Sequence, residues 1–411
     1  MNFNTLFNKV LRRASVRGVG IAGVRALLAR LDRPHKSFSI IHVAGTNGKG
    51  SVSTLLAGAL SAAGYKTGLF ISPHLLCPSE RIQINGQPIS QKAFTQALQT
   101  VFRAEKEPLN FFEILTAAAF VYFSKQRVDY AVLETGLGGR KDPTNVCAPS
   151  VSVITSVGKD HTQYLGDTLA EIAAEKAGII KRGVPVFCAG AGPSALTVIR
   201  RQAKRLCAPL TVVKEGEPFS VLSYAWQKNT TVLTDVSKRK WSLRLLGEKQ
   251  PQNACLVYRV CKQLKIADKY VKKAFETVCL CGRFEVKQIK HTTWIFDGAH
   301  NPQAVESFVR LWQKTPFYPK GVLVCAFMRD KDYKKMLKLF SPHFAQIIVT
   351  QLPFARSGTV EEIKKNCPFL KNVIYEKNYR AALKKAGEFP CAVCSGSFYL
   401  AGLAEKETIK K

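Results

Sequence analysis

A glycine-rich loop between an apolar segment and a helix-like segment places the strongest constraint on how this chain can fold. The loop, HVAGTNGKGS at residues 42–51, follows the apolar run 38–41 and precedes the run 52–56. A strand that ends in such a loop and continues as a helix directs backbone N–H groups, the helix N-terminus and Lys49 towards one point, where a polyphosphate can bind. The sequence therefore predicts a nucleotide-binding site at this loop.

The loop differs from the common phosphate-binding pattern at the residue after the lysine. In that pattern the residue is Ser or Thr, and its hydroxyl binds Mg²⁺. Here it is Gly50, and Ser51 follows one position later. We therefore expect part of the metal coordination to come from elsewhere in the chain. Taken alone, a glycine-rich turn with one lysine is also compatible with a plain strand-to-helix connection.

Length and composition indicate a protein of two or three domains with a proper apolar core. The chain has 411 residues, of which 46% are hydrophobic, and domains rarely exceed ~250 residues. No stretch approaches the ~18 to 20 apolar residues of a membrane span. The first fifteen residues have no apolar core of the signal-peptide type. We therefore expect a cytoplasmic protein without a signal peptide.

The twelve cysteines and the charge of +32 leave several partners open. The cysteines are scattered through a large chain, which is typical of reduced, buried thiols; the CxxC at 391–394 has no second pair at zinc-ligand spacing.

A strongly basic chain can bind nucleic acid, but it can equally attract small polyanions such as ATP. Because the longest basic run is only 238–240, charge alone does not choose between them.

The first half of the chain alternates apolar and amphipathic segments, which predicts an α/β fold with a P-loop and a parallel sheet flanked by helices. The expected strands are 38–43, 66–71, 129–134, 151–156 and 184–189, and the expected helices are 50–63, 90–103, 111–126, 168–181 and 193–206.

The second half predicts an antiparallel addition to the first domain and then a smaller domain. Residues 210–246 contain short strand-like pieces at 210–213, 230–234 and 241–246, and a helical pair follows at about 251–280. After a hinge at 281–284 the alternation returns, with strands near 292–296, 321–325, 345–349, 373–375 and 391–394. We expect an ATP-binding domain at 1–282 and a Rossmann-like C-terminal α/β domain at 283–411.

Two of the predicted strands lead into residues that can bind metals. The segment 130–134 ends in Glu134, and the segment 153–157 leads to His161. Residues at the carboxyl ends of neighbouring parallel strands lie beside a phosphate loop, so both are candidate ligands. Lys176 lies in an apolar, helix-like segment. Taken singly, Glu134 also fits a helix cap, His161 a surface histidine, and Lys176 a lysine that extends to solvent.

Together these segments resemble the folylpolyglutamate synthases and dihydrofolate synthases, the folate branch of the Mur ligase superfamily. The matching strings occur in the same order: HVAGTNGKGS, FISPHL, SERIQING, FFEILTAAAF, LETGLGGRKDPTN, TSVGKDHTQYLG, IAAEKAGIIK, QNA, GRFE, DGAHNP, RDKD and SGSFYLAGL. Other members carry a nucleotide-sugar-binding domain of roughly 100 residues before the ATP loop. Here 44 residues precede Gly45, so we expect the folate branch.

The resemblance implies roles in catalysis and in ATP and metal binding. It implies ATP contacts from Gly48, Lys49, Gly50, Ser51, Asn253, Arg283 and Asp297, with His300 at the same face, and Mg²⁺ ligation by Ser51, Ser72, Glu134 and His161. Lys176 matches a lysine that is carbamylated in the superfamily, a change that would let it support a second Mg²⁺. On this basis the catalytic residues are Lys49, Lys176, Asp297 and His300.

The resemblance also implies a pterin or folate site. It is expected to use Asn110, Phe111, Phe112, Glu113, Lys141, Asp142 and Pro143. An aromatic ring such as Phe112 can stack on a flat heterocycle, although Phe111 fits core packing equally well. The chain departs from the family pattern at three places, which should leave the ATP contacts intact and are expected to affect the pteroate contacts more: Lys249-Gln250 in place of His-Gln, Cys281 in place of Pro, and an uncharged segment at 20–23.

The implied activity is ATP-dependent amide ligation. The γ-phosphoryl group of ATP would pass to the carboxylate of dihydropteroate or folate, and the amino group of L-glutamate would displace phosphate from the acyl phosphate. We expect a bifunctional dihydrofolate synthase and folylpolyglutamate synthase that works as a monomer on small molecules, without nucleic acid or membrane. The alternatives are a cell-wall amino-acid ligase of the same superfamily, a P-loop ATPase that binds nucleic acid, and a binding module without catalysis.

Overall fold

The computed structural model describes residues 3–15 and 20–409. The contacts within the chain divide it into two compact units. Unit 1 contains Met1–Glu217 and Gln252–Phe275, and unit 2 contains Pro218–Pro251 and Glu276–Lys411. The three-stranded antiparallel sheet that we expected as an addition to the first domain is therefore grouped with unit 2. The domain limits of 1–282 and 283–411 stay a prediction.

The strands of unit 1 form one eight-stranded sheet in the order β4-β3-β2-β5-β1-β6-β7-β8. Six of them are parallel, and β3 and β4 add an antiparallel edge. The strands are β1 (Ser39–Ala44), β2 (Thr67–Phe70), β3 (Ile82–Ile84), β4 (Gln87–Pro88), β5 (Tyr130–Glu134), β6 (Val151–Ile154), β7 (Val186–Ala189) and β8 (Leu210–Val213).

Unit 2 contains two sheets. The first is antiparallel, in the order β11-β10-β9, and the second has the order β12-β13-β17-β14-β15-β16, with only β12 antiparallel to its neighbour. The strands are β9 (Phe219–Ala225), β10 (Thr230–Asp235), β11 (Lys240–Leu243), β12 (Glu285–Ile289), β13 (Thr292–Phe296), β14 (Val322–Cys325), β15 (Gln346–Gln351), β16 (Val373–Asn378) and β17 (Cys391–Ser395).

The α-helices connect these strands and cover the sheets. They are α1 (Phe3–Leu11), α2 (Gly20–Arg30), α3 (Lys49–Ala62), α4 (Gln91–Ala104), α5 (Phe111–Lys125), α6 (Thr162–Leu165), α7 (Leu169–Lys176), α8 (Pro193–Arg205), α9 (Gln250–Gln263), α10 (Asp268–Thr277), α11 (Pro302–Trp312), α12 (Tyr333–Phe340), α13 (Val360–Asn366), α14 (Tyr379–Ala386) and α15 (Phe398–Ile409). In the part of the chain that the structure describes, none of them is long and apolar enough to cross a membrane.

The described core of unit 1 includes two apolar clusters. One packs α1, α2, α4 and α5 against the strands β1, β2 and β5. The other packs α7 and α8 against β6 and β7. Strands β5, β6 and β7 are buried almost throughout, as expected for parallel strands covered on both faces. Helix α5 is apolar around most of its circumference because it is a central, buried helix.

The predicted α/β class, with a parallel sheet in the first unit and a second α/β unit, is confirmed. All ten strands expected in the two parallel sheets are present within a few residues of their predicted limits. One strand was placed wrongly: Leu210–Val213 pairs in parallel with β7 as the last strand of the large sheet. The segment belongs there because the chain returns after α8 to the open edge of that sheet.

Candidate functional site

The strand order of unit 1 brings the glycine-rich loop and the predicted metal residues to the carboxyl-terminal edge of its sheet. Strands β2, β5, β1 and β6 are consecutive neighbours and run in parallel. In the register between β1 and β5, Val43 lies beside Glu134, so Glu134 is level with the start of the glycine-rich loop. Because parallel strands end at a common edge, the loops after all four strands meet there.

The glycine-rich loop folds around its own lysine. Lys49 Nζ donates to the carbonyl oxygens of Gly45 and Thr46, at 3.1 and 3.2 Å. Gly48 precedes α3 with φ of 86°, and a β-carbon there would lie 2.8 Å from Oδ1 of Asn253. Only glycine combines this left-handed backbone with so close an approach. The packing places Asn253, a predicted ATP residue from a distant segment, directly against the loop.

The end of β6 holds the loop in place from its other side. Thr155 Oγ1 donates to the carbonyl of Asn47 at 2.7 Å, and the N–H of Asn47 donates to Ser156 Oγ at 2.9 Å. Thr46 Oγ1 donates to the carbonyl of Gly158 at 3.0 Å. The sequence analysis gave these polar residues no individual role. In the structure, their hydrogen bonds fix the loop conformation.

Glu134, Ser72 and Lys49 are brought together. Glu134 is buried at 3% exposure. Its Oε1 lies 4.0 Å from Lys49 Nζ, and its Oε2 accepts the backbone N–H of Ser72 at 3.0 Å. Ser51, also buried, lies in the first turn of α3. The carboxylate, the ammonium group and two serines thus share one partly closed edge of the sheet.

His161 and Lys176 lie at the same edge, and Asp160 joins them. His161 begins α6 with a left-handed backbone, and its backbone N–H donates to Asp160 Oδ1 at 2.9 Å. Lys176 is buried at 2% exposure at the end of α7. Burial, reinforced by the Lys49 ammonium, lowers the pKa of Lys176 to about 7, although the charges of Asp160 and Asp142 oppose the shift. Sequence reasoning overlooked Asp160, although it directly precedes His161.

The predicted pterin residues at the start of α5 form a helix cap. Asn110 Oδ1 accepts the N–H groups of Phe112 and Glu113, and Glu113 Oε2 accepts the N–H of Asn110 at 2.8 Å. This reciprocal arrangement is a capping box. The polar side chains of Asn110 and Glu113 therefore fix the helix start, which orients Phe111 and Phe112.

The two phenylalanines have different neighbours. The Phe112 ring centre lies 5.6 Å from that of Phe70, and a β-carbon on Gly136 would come within 2.6 Å of the Phe112 ring. Phe111 contacts the Phe7 ring edge-on at 6.3 Å and lies 5.3 Å from the Arg81 guanidinium carbon. Phe112 is thus the ring that lies against the loop after β5.

The segment 141–143 follows the loop after β5, and its Asp142 is held by internal hydrogen bonds. Lys141 is exposed and Pro143 is half-buried. Asp142 is buried and caps a short 3₁₀ helix at Pro143–Val146. Its Oδ1 accepts from the N–H and hydroxyl of Thr144, and its Oδ2 accepts the N–H of Leu137.

In unit 2, the predicted residues Asp297, Arg283 and His300 cluster at the end of β13. Asp297 accepts the N–H groups of Phe284 and Ala299 at 2.9 and 2.8 Å. Desolvation raises its pKa to about 6, although the nearby Arg283 opposes the shift. The Arg283 guanidinium carbon lies 4.9 Å above the Phe398 ring, and His300 Nδ1 donates to the carbonyl of Gly298 at 2.8 Å.

Unit 2 also contains a group of potential metal ligands, formed by Cys281, Glu285 and Glu405. A cation already lies between the two carboxylates, because Lys287 Nζ makes ion pairs with both glutamates and offsets one of their two negative charges. The two cysteines of the CxxC sequence, Cys391 and Cys394, are buried, and burial raises the pKa of Cys391 to about 12. These thiols are therefore part of the apolar core.

Comparisons with known proteins agree with this site. A family model described as the Mur ligase middle domain matches residues 43–261, and one described as the Mur ligase, glutamate ligase domain matches residues 282–396. The first match contains Lys49, Glu134 and Lys176, and the second contains Asp297.

Individual relatives are similar over most of their length. The dihydrofolate synthase/folylpolyglutamate synthase of Bacillus subtilis is 35% identical over 371 residues, which cover 84% of each chain. The structure of Mycobacterium tuberculosis folylpolyglutamate synthase complexed with ADP and AMPPCP has 29% identity, a TM-score of 0.88 and 98% coverage of both chains. A bifunctional folylpolyglutamate synthase/dihydrofolate synthase from Yersinia pestis, complexed with AMPPNP and Mn ion, has 26% identity, a TM-score of 0.85 and coverage of 99% of this chain and 98% of that one.

Proposed function

This chain belongs to the Mur ligase family, among the folylpolyglutamate and dihydrofolate synthases, and we propose that it joins L-glutamate to dihydropteroate and to folates in an ATP-dependent reaction. The observation that carries the proposal is the shared edge of the unit 1 sheet. There Lys49 and Glu134 lie beside the glycine-rich loop, and Phe112 lies against Gly136, in the loop that follows Glu134.

The chemistry requires an activated carboxylate, because a carboxylate and an amine do not form an amide unaided at neutral pH. The γ-phosphoryl group of ATP passes to the acceptor carboxylate and gives an acyl phosphate and ADP. The amino group of L-glutamate then attacks the acyl carbon, and phosphate leaves. Phosphoryl transfer depends mainly on positioning and on neutralising charge. The Lys49 ammonium supplies such charge at the loop, and the N-terminus of α3 adds to it.

The residues near Lys49 fit a divalent cation such as Mg²⁺. Hydroxyl and carboxylate oxygens are the ligands that this ion prefers, and Ser51, Ser72 and Glu134 provide them, with His161 as a nitrogen donor. When bound, the cation would offset the negative charge of the transferring phosphoryl group.

Lys176 is suited to carbamylation and to the support of a second Mg²⁺. A lysine must be neutral to react with CO₂, and the lowered pKa of Lys176 makes the neutral amine available near neutral pH. The carbamate would be an anion, so the Lys49 ammonium would favour it. The neighbouring Asp160 and Asp142 would oppose it unless a cation were bound. Carbamylation and metal binding are therefore expected to occur together.

In unit 2, Arg283 and Asp297 are proposed to contact the nucleotide, and His300 lies beside them. The guanidinium group offers N–H donors suited to phosphate, and an ionised Asp297 would accept hydrogen bonds from ribose hydroxyls. We further propose that the enzyme acts as a monomer in the cytoplasm, without nucleic acid. Gel filtration with light scattering tests the monomer directly.

The proposal is tested with a panel of acceptors. Purified protein is incubated with ATP, Mg²⁺, L-glutamate and one of dihydropteroate, dihydrofolate, tetrahydrofolate or a UDP-linked cell-wall precursor, and ADP and the amide product are measured. We expect product with dihydropteroate and with at least one folate. Product only with the UDP-linked acceptor would overturn the folate assignment. ADP release stimulated by polynucleotide without amide formation would overturn the ligase assignment itself.

A further inference from the structure

His42 is a fully buried histidine in β1, three residues before the glycine-rich loop. Its Nε2 lies 2.7 Å from Thr144 Oγ1, and its Nδ1 lies 3.7 Å from Cys147 Sγ. Burying a polar ring is costly unless its nitrogens find partners. Both ring nitrogens therefore have a polar neighbour, and both neighbours belong to the segment just after the loop that carries Gly136.

The direction of these hydrogen bonds follows from counting hydrogens. Thr144 Oγ1 lies 2.5 Å from Asp142 Oδ1, and Asp142 also accepts the N–H groups of Thr144 and Leu137. Burial raises the pKa of Asp142, but the donors on both of its oxygens oppose that shift and favour the carboxyl group as an ionised acceptor. Thr144 has one hydroxyl hydrogen and donates it to Asp142. Its oxygen then accepts the hydrogen carried by His42 Nε2, which leaves Nδ1 as an acceptor facing Cys147.

The surroundings keep the imidazole neutral, as this arrangement requires. Burial, with a smaller effect of the Lys181 ammonium, lowers the pKa of His42 to about 3. Burial also raises the pKa of Cys147 to about 12, so its thiol keeps a hydrogen that points to Nδ1. A neutral imidazole has two tautomers, and the hydrogen-bonded series Cys147–His42–Thr144–Asp142 accommodates the one protonated at Nε2.

This series of hydrogen bonds ends at the loop that lies against Phe112. Asp142 Oδ2 holds the N–H of Leu137, and the adjacent Gly136 lies in close contact with the Phe112 ring. We propose that His42 is a positioning residue for the acceptor: as the Nε2–H tautomer it orients Thr144 and Asp142, and through them the loop 136–139 beneath the pterin ring. This inference rests on the proposed function for the identity of the acceptor.

The tautomer is tested on the full-length wild-type protein. Histidine labelled with ¹⁵N at both ring positions gives long-range ¹⁵N–¹H correlations that distinguish the two tautomers, and the signals of His42 are assigned by their loss in His42→Gln. We expect the Nε2–H form at neutral pH. The Nδ1–H form, or a protonated ring, would overturn the proposed series of hydrogen bonds, and this result would not depend on the identity of the substrates.

The positioning role is tested with a matched pair of substitutions. In His42→Gln the amide nitrogen extends as far as Nε2 and can still donate to Thr144, whereas in His42→Asn it reaches only to the depth of Nδ1. Losing one hydrogen bond changes an equilibrium by up to about tenfold. We expect His42→Asn to raise the KM for the pteroate acceptor by about tenfold, with the KM for ATP little changed. His42→Gln should keep most of the wild-type affinity for the acceptor.

Thr144→Val and Thr144→Ser provide the same contrast if His42→Asn does not fold. Equal acceptor KM values in the donor-keeping and donor-lacking variants would overturn the inference while the wild-type enzyme remains a glutamate ligase. Absence of ligase activity in the wild-type protein would instead overturn the proposed function. The tautomer measurement separates these two failures, because it needs no substrate.

Discussion

Lys49 Nζ lies 4.0 Å from Glu134 Oε1, so a cation from the glycine-rich loop faces a carboxylate from the end of β5. The lysine side chain is 16% exposed and the glutamate side chain 4%. Water screens the pair only partly, and the attraction is stronger than at an open surface. The pair joins the glycine-rich loop to the end of β5 at the edge where the loops of four parallel strands meet.

Glu134→Gln should lower amide formation by about 100- to 1,000-fold while preserving the fold. The amide has nearly the shape of the carboxylate and can still accept the N–H of Ser72, but it loses the negative charge that faces Lys49 and the proposed cation. Removing one electrostatic contact to a transition state costs about 100- to 1,000-fold in turnover. We expect a loss of this size in ADP release and in product formation, and an unchanged circular dichroism spectrum.

Lys49→Met should lose a similar amount of activity, and the exposed Lys92 of α4 provides the control. Lys92→Met removes the same charge from the chain's total without touching the loop, so its turnover should match wild type. Near-normal turnover in Glu134→Gln or Lys49→Met, or an equal loss in Lys92→Met, would contradict the assignment of this edge as the site of phosphoryl transfer.

Gly48→Ala should weaken ATP binding more than Gly64→Ala does. Both glycines have left-handed backbones, with φ of 86° and 95°, so both substitutions carry a strain of roughly 1–2 kcal/mol. A β-carbon at Gly48 would also meet Asn253 Oδ1 at 2.8 Å, whereas at Gly64 it would meet nothing within 4 Å. We expect similar losses of stability but a higher ATP KM only in Gly48→Ala. An equal effect of both on KM would mean that the Asn253 contact is irrelevant.

Lys176 should make stability rise with pH on the alkaline side of neutrality. Its pKa is about 7 in the folded chain and near the ordinary 10.5 when unfolded. Between these values the unfolded chain binds one proton more, so the free energy of unfolding rises by up to about 1.4 kcal/mol per pH unit. Below about pH 7 both states are protonated and the folded state bears the full cost.

Urea titrations of the wild type and Lys176→Met in CO₂-free buffer measure this dependence. The free energy of unfolding should rise less steeply from about pH 7 to 10 in Lys176→Met than in the wild type. At the acid end of this range the variant should gain stability relative to the wild type. Lys92→Met should leave the slope unchanged. Parallel curves for wild type and Lys176→Met would show that Lys176 has an ordinary pKa and would weaken the case for carbamylation.

Much of the fold could be predicted because its parallel strands are continuous apolar runs. Strands β1 and β5 are buried by helices on both faces, so their limits are visible without knowledge of their partners. Strand β9 was missed because most of its residues are exposed, with Leu222 at 53%. The pairing of β8 with β7 was missed because a short, half-exposed strand carries no signal of its partner.

For the site, the sequence located polar residues at strand ends but not their hydrogen bonds. The position of Glu134 after an apolar strand could be read directly, whereas its bond to the backbone N–H of Ser72 depends on a loop conformation that no local pattern specifies. Asn110 and Glu113 were predicted as pterin residues, and that role stays a prediction. Their observed partners are each other's backbone groups in the cap of α5, a pattern that the spacing of three residues could have indicated.

Phe112→Leu should raise the KM for the pteroate acceptor by roughly two- to tenfold, the range expected for one aromatic stacking contact. Phe112 packs against Phe70 and Gly136, on the loop that follows Glu134, so its ring is available to a flat ligand there. Phe111→Leu is the matched control, because Phe111 packs instead on Phe7 and Arg81. It should lower the urea midpoint and leave the acceptor KM near the wild-type value. Steady-state kinetics at saturating ATP and L-glutamate measure both. A larger rise in KM for Phe111→Leu than for Phe112→Leu would place the pterin on the other ring.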